Sequence, residues 1–402
     1  MKILFVTWDG PQLNYLESLF LPIFLKLRSF GYTFHIMQFT WEVKGEAQKP
    51  RFSFNVENGI TYQRETVCRY PVALGSFITA IYGGHLIKKA IRVHKIDAVM
   101  PRSTLPALAT LFALKGTLFP MIFDADGLPI DERIEYSGHS PVSFTQRLMR
   151  DIEAQAVYRA DVVLTRTERA NDILFARGGA GSYREKFEVV INGRDENLFR
   201  SVNSNERKLI KDELKLNHES PLIIYVGSIG GKYRLNEMIK LYGYIKNMIE
   251  SATFIVLTPS TDVALEMFQT YPKLLESTKI LNVSVAEVAR YLSCADLGLA
   301  LITPGFSMKA ASALKIGEYL LSGLPVITMT GIGNSGTVCG DAGYILPSME
   351  DSDLRSAADW FVKKVLPDQE KFRKAALHAG RSSYSITAAV NSYHNALSKY
   401  LA

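Results

Sequence analysis

The sequence predicts an α/β protein built from two Rossmann-like domains, each a doubly wound parallel sheet, which face each other across a cleft. Short apolar runs alternate with helical segments along the chain, a pattern typical of parallel sheets covered by helices on both faces. The alternation starts a second time near residue 221. The length of 402 residues also exceeds what one hydrophobic core normally holds and favours two domains.

In the first series, apolar runs predict strands, and the amphipathic segments between them predict helices. The strands are expected over 2–7, 33–39, 97–102, 119–126, 161–167 and 187–192, and the helices over 14–29, 76–95, 104–116 and 141–160. The segment FSFNVENGITYQRET, 52–66, is interpreted as a hairpin that turns at Asn58-Gly59, because Asn-Gly is a strong signal of a tight hairpin turn.

The second series follows the same pattern. Its strands are expected over 221–228, 252–259, 296–302, 325–329 and 343–347, and its helices over 234–249, 285–295, 351–364, 368–379 and 385–401, with a short apolar helix inside SALKIGEYLLSGLPVI, 312–327. The two series join in the polar stretch 192–207. We therefore expect a first domain over 1–195, a second over 196–384, and a C-terminal helix, 385–402, that can cross back to the first domain.

Composition excludes several classes of protein. Hydrophobic residues make up 47% and charged residues 21% of the chain, which is ordinary for a globular protein. The three cysteines, Cys68, Cys294 and Cys339, are too far apart for a zinc motif or a disulfide framework, and this favours the cytosol. The first residues, MKILFVTWDG, lack the features of a signal peptide, and we expect no membrane span, which needs roughly 20 apolar residues.

Positive charge is concentrated in residues 81–120. The whole chain has a net charge of +6, and in this segment one acid, Asp97, stands against Lys88, Lys89, Arg92, Lys95, Arg102 and Lys115. Such a basic segment can attract anionic lipid or nucleic acid. A helix with an apolar side towards the core and a solvated basic side explains the pattern equally well.

A glycine-rich loop is the main candidate for ligand binding. In open parallel sheets, ligands bind beyond the carboxyl ends of the strands, and VGSIGGKYR, 226–234, follows the first strand of the second series. Glycines let backbone amides approach a ligand, and cations near a helix start suit phosphate oxygens. The residues are Gly227, Gly230, Gly231, Lys232 and Arg234. The spacing is not that of a Walker loop, and a simple strand-to-helix turn is the alternative.

Other motifs indicate less. GIGNSG, 331–336, has the spelling of a dinucleotide fingerprint, but only residues 337–342 separate it from the next strand, too few for the usual helix. Asp124 and Asp126 would point to opposite faces of a continuing strand, so a polar role in the cleft is favoured over a shared metal. We expect no metal site, because the sequence contains neither an HExxH motif nor a Cys/His cluster, and it contains no nucleophile elbow.

Four segments carry a resemblance to a known family. KIGEYLLSGLPVI, 315–327, preceded by DLGLALI, 296–302, resembles the C-terminal signature of the family 4 glycosyltransferases, which have the GT-B fold. YVGSIGGKY, VINGRDENLF and FDADGLPIDERIE are similar to segments of the same family. The resemblance implies a retaining transferase that takes its sugar from a nucleotide-sugar donor, bound mainly by the second domain.

By position, the resemblance implies roles in the donor site. Glu318 would accept hydrogen bonds from the ribose hydroxyls. The helix start at Ser312 would lie near the diphosphate, with Lys315 on one side and Lys232 and the loop 227–231 on the other. We take both lysines as catalytic candidates, because they would offset charge on the leaving nucleotide. The implied reaction needs neither a dedicated base nor a metal.

The sequence departs from the family pattern in the same region. The family has a first Glu eight residues before Glu318, where this chain has Ala310. Ser307 or backbone amides would then contact the donor sugar. Ser228 stands at the position of the usual Arg of the phosphate loop, so that Lys232 or Arg234 would have to compensate.

In the first domain, the resemblance concerns the acceptor side. Many relatives have a His at the strand end where this chain has Asp126, and we therefore take Asp126 as a catalytic candidate. Gly10, Arg102 and Asp124 are assigned to the acceptor side of the same domain.

The implied acceptor is a glycolipid or a growing polysaccharide, as in the biosynthesis of lipopolysaccharide and other surface glycans. Lys88, Lys89, Arg92 and Lys95 would bring an otherwise cytoplasmic enzyme to the anionic inner face of the plasma membrane, and nucleic acid is not expected as a partner. Two alternatives remain. One is a nucleotide-sugar epimerase of the same fold, and the other is a non-catalytic nucleotide-sugar-binding protein, which the missing acid at Ala310 would fit.

Overall fold

The computed structural model describes residues 1–10, 14–41, 59–68 and 70–401. The chain forms two compact units. Unit 1 consists of Met1–Ile191 and Ala389–Ala402, and unit 2 consists of Asn192–Ala388. The sequence placed the corresponding boundaries at 195/196 and 384/385.

The described strands of unit 1 are all parallel. They are β1 (Lys2–Trp8), β2 (Thr33–Thr40), β3 (Ile60–Thr66), β4 (Ala98–Pro101), β5 (Ile122–Asp124), β6 (Val162–Thr165) and β7 (Phe187–Val189). They pair in the orders β3-β2-β1-β4 and β5-β6-β7, and single parallel bridges from Val99 to Met121 and from Arg102 to Asp124 join β4 to β5. The strand order reverses between β1 and β4, and ligands bind at the carboxyl ends of strands at such a point.

The prediction of a hairpin over 52–66 is wrong for its second strand, which corresponds to β3. Residues 52–58, including Asn58, lie outside the described residues. Gly59 has a positive φ of 65°, but β3 pairs in parallel with β2, with Ile60 opposite Phe34 and Thr66 opposite Thr40. A two-residue turn joins only antiparallel strands, so the local Asn-Gly signal does not determine the partner of β3.

The helices of unit 1 cover the sheet. They are α1 (Leu21–Leu27), α2 (Val72–His94), α3 (Thr104–Leu114), α4 (Pro129–Tyr136), α5 (Phe144–Arg159) and α6 (Glu168–Gly178). α4 and α6 are not among the helices predicted from the sequence, although both have start signals. Pro129 and two acids open α4, and the hydroxyl of Thr167 accepts a hydrogen bond from Ala170 N at the start of α6.

The direction of α2 follows from two contacts. A Cβ added at Gly83 would lie 2.8 Å from the ring of Phe39, near the carboxyl end of β2. The ring of His94 stacks on His35, near the beginning of β2, with ring centres 4.0 Å apart. Because α2 thus runs antiparallel to the strand, its first turns, from Val72, extend beyond the carboxyl edge of the sheet.

Unit 2 contains one parallel sheet of six strands in the described chain. They are β8 (Leu222–Val226), β9 (Thr253–Leu257), β10 (Thr278–Leu281), β11 (Leu297–Ala300), β12 (Val326–Met329) and β13 (Gly343–Leu346), in the order β10-β9-β8-β11-β12-β13. The order reverses between β8 and β11, so the ligand-binding edge lies at their carboxyl ends. β10 was not predicted, because this edge strand is only half-buried and lacks a long apolar run.

The helices of unit 2 lie on both sides of this series of strands. They are α7 (Ser204–Glu213), α8 (Leu235–Met248), α9 (Thr261–Phe268), α10 (Pro272–Leu275), α11 (Val285–Cys294), α12 (Leu314–Leu321), α13 (Ser335–Cys339), α14 (Asp351–Trp360) and α15 (Gln369–Tyr384). The last helix, α16 (Ile386–Leu401), leaves unit 2 at Ala388 and packs on unit 1. There, the ring of His394 stacks on Phe30 with ring centres 4.1 Å apart.

The predicted fold class is therefore confirmed: the protein is α/β, with doubly wound parallel sheets in both units. None of the helices in the described residues combines the length and the apolar character that a bilayer span requires. All three cysteines lie in the described residues and none of them forms a disulfide.

Candidate functional site

The glycine loop after β8 leaves an open space at the carboxyl edge of unit 2. Gly227, Gly230 and Gly231 have positive φ values of 140°, 91° and 59°, which favour glycine. A Cβ at Gly230 or Gly231 would meet no atom within 4 Å. The carbonyl of Ser228 accepts a 2.5 Å hydrogen bond from Tyr225 Oη. The loop backbone is thus fixed while the space in front of its second half is open.

Residues 232–233, in the second half of the loop, are hydrogen-bonded to the segment that follows β11. Tyr233 forms bridges with Gly230 and with Ile302, and the carbonyl of Lys232 accepts a 2.7 Å hydrogen bond from Thr303 N. These bonds bring the loop after β8 against the end of β11, where the strand order reverses. Lys232 therefore lies at the ligand-binding edge that the topology defines.

Lys315 reaches the same edge from the first turn of α12. Its Nζ lies 3.8 Å from the ring centre of Tyr233 and 4.6 Å from that of Tyr225, close enough for cation–π attraction. In the described residues, no carboxylate lies within ion-pair distance of this Nζ. Burial lowers the pKa of Lys315 to about 7, and Glu318 opposes the shift while Lys232 adds to it.

Glu318 lies one turn further along α12 and is paired with Arg194. Arg194 Nη2 donates to Glu318 Oε1, and the two side chains are only 10% and 12% exposed. The guanidinium of Arg194 also lies 5.2 Å from the ring centre of Phe199. In the sequence, Arg194 lies within the turn motif VINGRDENLF, and no local pattern there predicts its contact with Glu318.

The start of α12 is open to an anion. Ala313, the N-cap residue, provides no side-chain hydrogen bond to the first amides of the helix, and such amides attract negative charge. Ser312 lies half-buried just before it. Ser307 and Ala310 belong to the preceding 3-10 turn and are only 2% and 0% exposed, so the position of the missing acid is fully buried.

Arg234, the N-cap residue of α8, is paired with Glu237 in the first turn of that helix. Its Nε and Nη2 donate to the two carboxylate oxygens of Glu237 at 3.0 and 2.5 Å. The side chain of Arg234 is 42% exposed. Arg234 is therefore less available to a phosphate than its position in the sequence suggests.

Charged side chains also gather at the carboxyl edge of unit 1. Arg166 Nη2 lies 2.8 and 2.9 Å from the carboxylate oxygens of Asp124, which is fully buried. Arg102 Nη2 donates to Asp126, and its Nη1 lies 3.4 Å from Asp9 Oδ1. Because β5 ends at Asp124, Asp124 and Asp126 do not alternate across a strand, and both approach Arg166.

Asp126 is the member of this cluster that reaches the surface. Its side chain is 27% exposed, and its φ of 53° is unusual for a residue other than glycine. Burial raises the pKa of Asp126, whereas Arg102 and Arg166 oppose that shift. Arg102 and Asp124 are both buried, and Gly10 lies half-buried directly after Asp9. In the described ranges, no three His, Cys, Asp or Glu side chains are placed to hold a metal ion.

The fold of the chain is that of GT-B glycosyltransferases. A glycosyltransferase from Rickettsia africae ESF-5 superposes with a TM-score of 0.73 at 13% identity, over 100% of this chain and 99% of that chain. WaaG, a glycosyltransferase involved in lipopolysaccharide biosynthesis, gives 0.69 at 13% identity over 98% of each chain. Anabaena Alr3699/HepE, solved in complex with UDP and glucose, gives 0.68 at 14% identity over 99% of each chain.

The same fold also occurs in an epimerase. UDP-GlcNAc 2-epimerase from Neisseria meningitidis gives a TM-score of 0.60 at 14% identity, over 99% of this chain and 100% of that chain. No protein-family profile and no curated protein sequence matches this chain. At these identities the likeness concerns the fold, and the activity has to be argued from the residues of the site.

Proposed function

We propose that the protein is a retaining glycosyltransferase of the family 4 type, which binds a nucleotide-sugar donor in unit 2. The observation that carries the proposal is the position of Lys315 and Glu318 on successive turns of α12, beside the Gly227 turn. A half-buried cation that forms no ion pair within the described residues, beside an uncapped helix start, suits a diphosphate, and a carboxylate one turn deeper suits ribose hydroxyls. HepE has been solved with UDP and with UDP-glucose, and this supports the same kind of ligand here.

The proposed chemistry is electrostatic. As the sugar leaves, negative charge grows on the nucleotide diphosphate, and Lys315, Lys232 and the amides of the 227–231 loop would stabilise it. These groups supply positive charge without a metal, and we expect none as a cofactor. Asp126, at the surface of the unit 1 cluster, would contact the acceptor together with Gly10 and Arg102, whereas the buried Asp124 would hold Arg166 in place.

The proposed acceptor is a glycolipid or polysaccharide of the cell surface, reached from the cytoplasmic side of the membrane. α2 has features of a membrane-binding helix: Lys88, Lys89, Arg92 and Lys95 are exposed in its second half and at its end. In its first half, the exposed fractions of Leu74, Ile78 and Tyr82 are 55%, 50% and 59%. Basic and exposed apolar side chains together favour an anionic lipid surface.

Turnover of a panel of nucleotide sugars tests the proposal. The protein is incubated with each donor, with and without lipid-linked acceptors, and released nucleotide is measured, while NMR of the product gives its anomeric configuration. Release that depends on the acceptor, with retention, supports the proposal. Inversion of the sugar without transfer would identify an epimerase, and tight nucleotide binding without turnover over the panel would identify a binding protein.

Vesicle sedimentation tests the membrane partner separately. The protein should bind vesicles of phosphatidylglycerol and phosphatidylcholine more strongly than phosphatidylcholine alone, and added salt should weaken the binding. Replacing Lys88, Lys89, Arg92 and Lys95 by Gln should remove the preference for anionic lipid. An unchanged preference in this variant would contradict a role for these four residues.

The alternative of a non-catalytic nucleotide-sugar-binding protein rests on Ala310 alone. The family's first Glu is represented by Ala310, which is fully buried, so no side chain there can contact a donor sugar. Donor turnover by the wild-type protein would exclude this alternative.

A further inference from the structure

Arg194 is fixed by its backbone on both sides. Its amide donates to the carbonyl of Tyr384 at 2.6 Å, and its carbonyl accepts a bond from Ile386 N at 3.2 Å. Ile386 N also donates to Glu196 Oε2 at 2.9 Å. The turn that carries Arg194 is therefore tied to the short connection between α15 and α16, and its side chain starts from a rigid base.

The side chain of Arg194 is fixed as well. Its guanidinium lies over the ring of Phe199 and donates to one oxygen of Glu318, Oε1. The other oxygen, Oε2, accepts no hydrogen bond from the described residues. A charge-assisted bond in a largely buried position orients a carboxylate far better than solvent does. In Glu318, Oε1 therefore accepts a hydrogen bond from Arg194, whereas Oε2 is oriented without such a bond from the described residues.

We propose that Arg194 is a positioning residue that makes Glu318 favour one ribose hydroxyl of the nucleotide over the other. This inference rests on the proposed function, since it concerns the same donor site. With both oxygens available, a carboxylate can accept from the two neighbouring ribose hydroxyls. Oε1 keeps a second lone pair, but its bond to the guanidinium draws negative charge away and fixes its direction, so that Oε2 is the stronger acceptor. The site should therefore depend on the hydroxyl that faces Oε2 far more than on the other.

The test compares nucleotides that lack one hydroxyl. UDP, GDP and ADP are titrated into the wild-type protein by calorimetry, followed by the 2′-deoxy and 3′-deoxy forms of the nucleoside diphosphate that binds best. Removing the recognised hydroxyl should weaken binding by about 10- to 100-fold, the range for a hydrogen bond to a charged group. Removing the other hydroxyl should leave the affinity within about twofold, a change far smaller than one such bond would give.

Variants show whether Arg194 causes this preference. Arg194→Met should lower the ratio between the two deoxy nucleotides towards one, and Arg194→Lys, which keeps the charge, should retain part of it. Arg200→Met is a matched control, because Arg200 pairs with Glu206 on the surface of the same segment, and it should keep the wild-type ratio. The ratio is a readout that a general loss of stability does not change.

Two results would overturn the inference while leaving the proposed function intact. The first is equal weakening by both deoxy nucleotides in the wild-type protein. The second is a wild-type ratio in Arg194→Met at a temperature where circular dichroism shows the variant to be folded. If none of the three nucleoside diphosphates bound, the proposed function would itself fail.

Discussion

Lys315 Nζ lies 3.8 Å from the centre of the Tyr233 ring, on the side of the Gly227 turn, where a Cβ would come within 2.8 Å of it. The lysine thus lies against aromatic faces, and no carboxylate of the described segments is in contact with its ammonium. Attraction to a ring stabilises the ammonium less than a carboxylate in contact would. The site in unit 2 therefore contains a cation that would gain stability from a bound anion.

Nucleotide affinity should fall as the pH rises above neutrality. The pKa of Lys315 in the free protein is about 7, and a bound diphosphate would favour the charged form. Above pH 7 the ammonium must first regain its proton, so the affinity for UDP should fall by up to about tenfold per pH unit. Calorimetry from pH 6.5 to 9 measures this, and Lys315→Arg, always charged, should show a flatter profile. A flat wild-type profile would contradict the prediction.

Replacing Lys315 by Met should stabilise the free protein. Its pKa is lowered from the value in the unfolded chain, so the unfolded state binds more protons at intermediate pH. The unfavourable contribution of Lys315 is therefore fully present below about pH 7 and is lost progressively as the pH rises from 7 towards 10.5, the pKa in the unfolded chain. Thermal unfolding at pH 6 and 9 should show a larger rise in Tm at pH 6, together with weaker nucleotide binding. Lys208→Met, at an exposed position, is the control, and an equal change at both pH values would refute the assignment.

A methyl group at Gly227 should affect binding more than stability. Gly227→Ala meets Lys315 Nζ and also adopts an unfavourable backbone conformation. Gly116→Ala also places alanine at a positive φ, of 74°, but meets no atom within 4 Å. Both variants should lose about 1–2 kcal/mol of unfolding free energy, measured in urea, but only Gly227→Ala should bind nucleotide more weakly. Equal nucleotide affinity in the two variants would place the ligand elsewhere.

Glu318→Ala should weaken nucleotide binding by about 1–3 kcal/mol, the scale of hydrogen bonds to a charged group. The substitution should also affect folding, because Glu318 is paired with Arg194. Without Glu318 its largely buried charge has lost its ion pair, and unfolding free energy should drop by about 3 kcal/mol. The double variant Arg194→Met with Glu318→Ala should regain stability without regaining affinity. Recovery of both properties would show that Glu318 does not contact the nucleotide.

Two aspartates of unit 1 should respond differently to replacement. Asp124→Ala leaves the buried Arg166 without its main partner, and should cost about 3–5 kcal/mol of unfolding free energy. Asp126→Ala should cost less, because Asp126 is partly exposed and Arg102 retains Asp9, yet it should reduce sugar transfer. Denaturant unfolding and turnover measured on both variants decide this. Full transfer activity in Asp126→Ala would remove Asp126 from the catalytic candidates.

Much of the fold could be read from the sequence because its strands are continuous apolar runs. β8 and β12 are almost fully buried, and a parallel sheet covered on both faces requires such strands. β10 lies at the edge of its sheet and is only half-buried, so it lacks this signal. The partner of β3 could not be read either, because strand pairing depends on distant parts of the chain.

The part of the candidate site that lies along α12 could be predicted from the sequence. Lys315 and Glu318 are three residues apart, and helical spacing places them on neighbouring turns. Arg194 was missed because 124 residues separate it from Glu318, and no local pattern connects them. Arg234 and Glu237 are also three residues apart, so this competing pair could have been recognised from the same spacing rule.

The return of α16 to unit 1 has a consequence for synthesis of the protein. Tyr393 Oη lies 3.4 Å from the carboxylate of Asp124, across a separation of 269 residues. A ribosome adds about 5–20 residues per second, so residues 389–402 follow Asp124 by many seconds. Unit 2 is one continuous segment and is fully synthesised in that interval. We therefore expect unit 2 to complete its folding first. Unit 1, although its synthesis begins earlier, can complete its folding only after its last helix has been made.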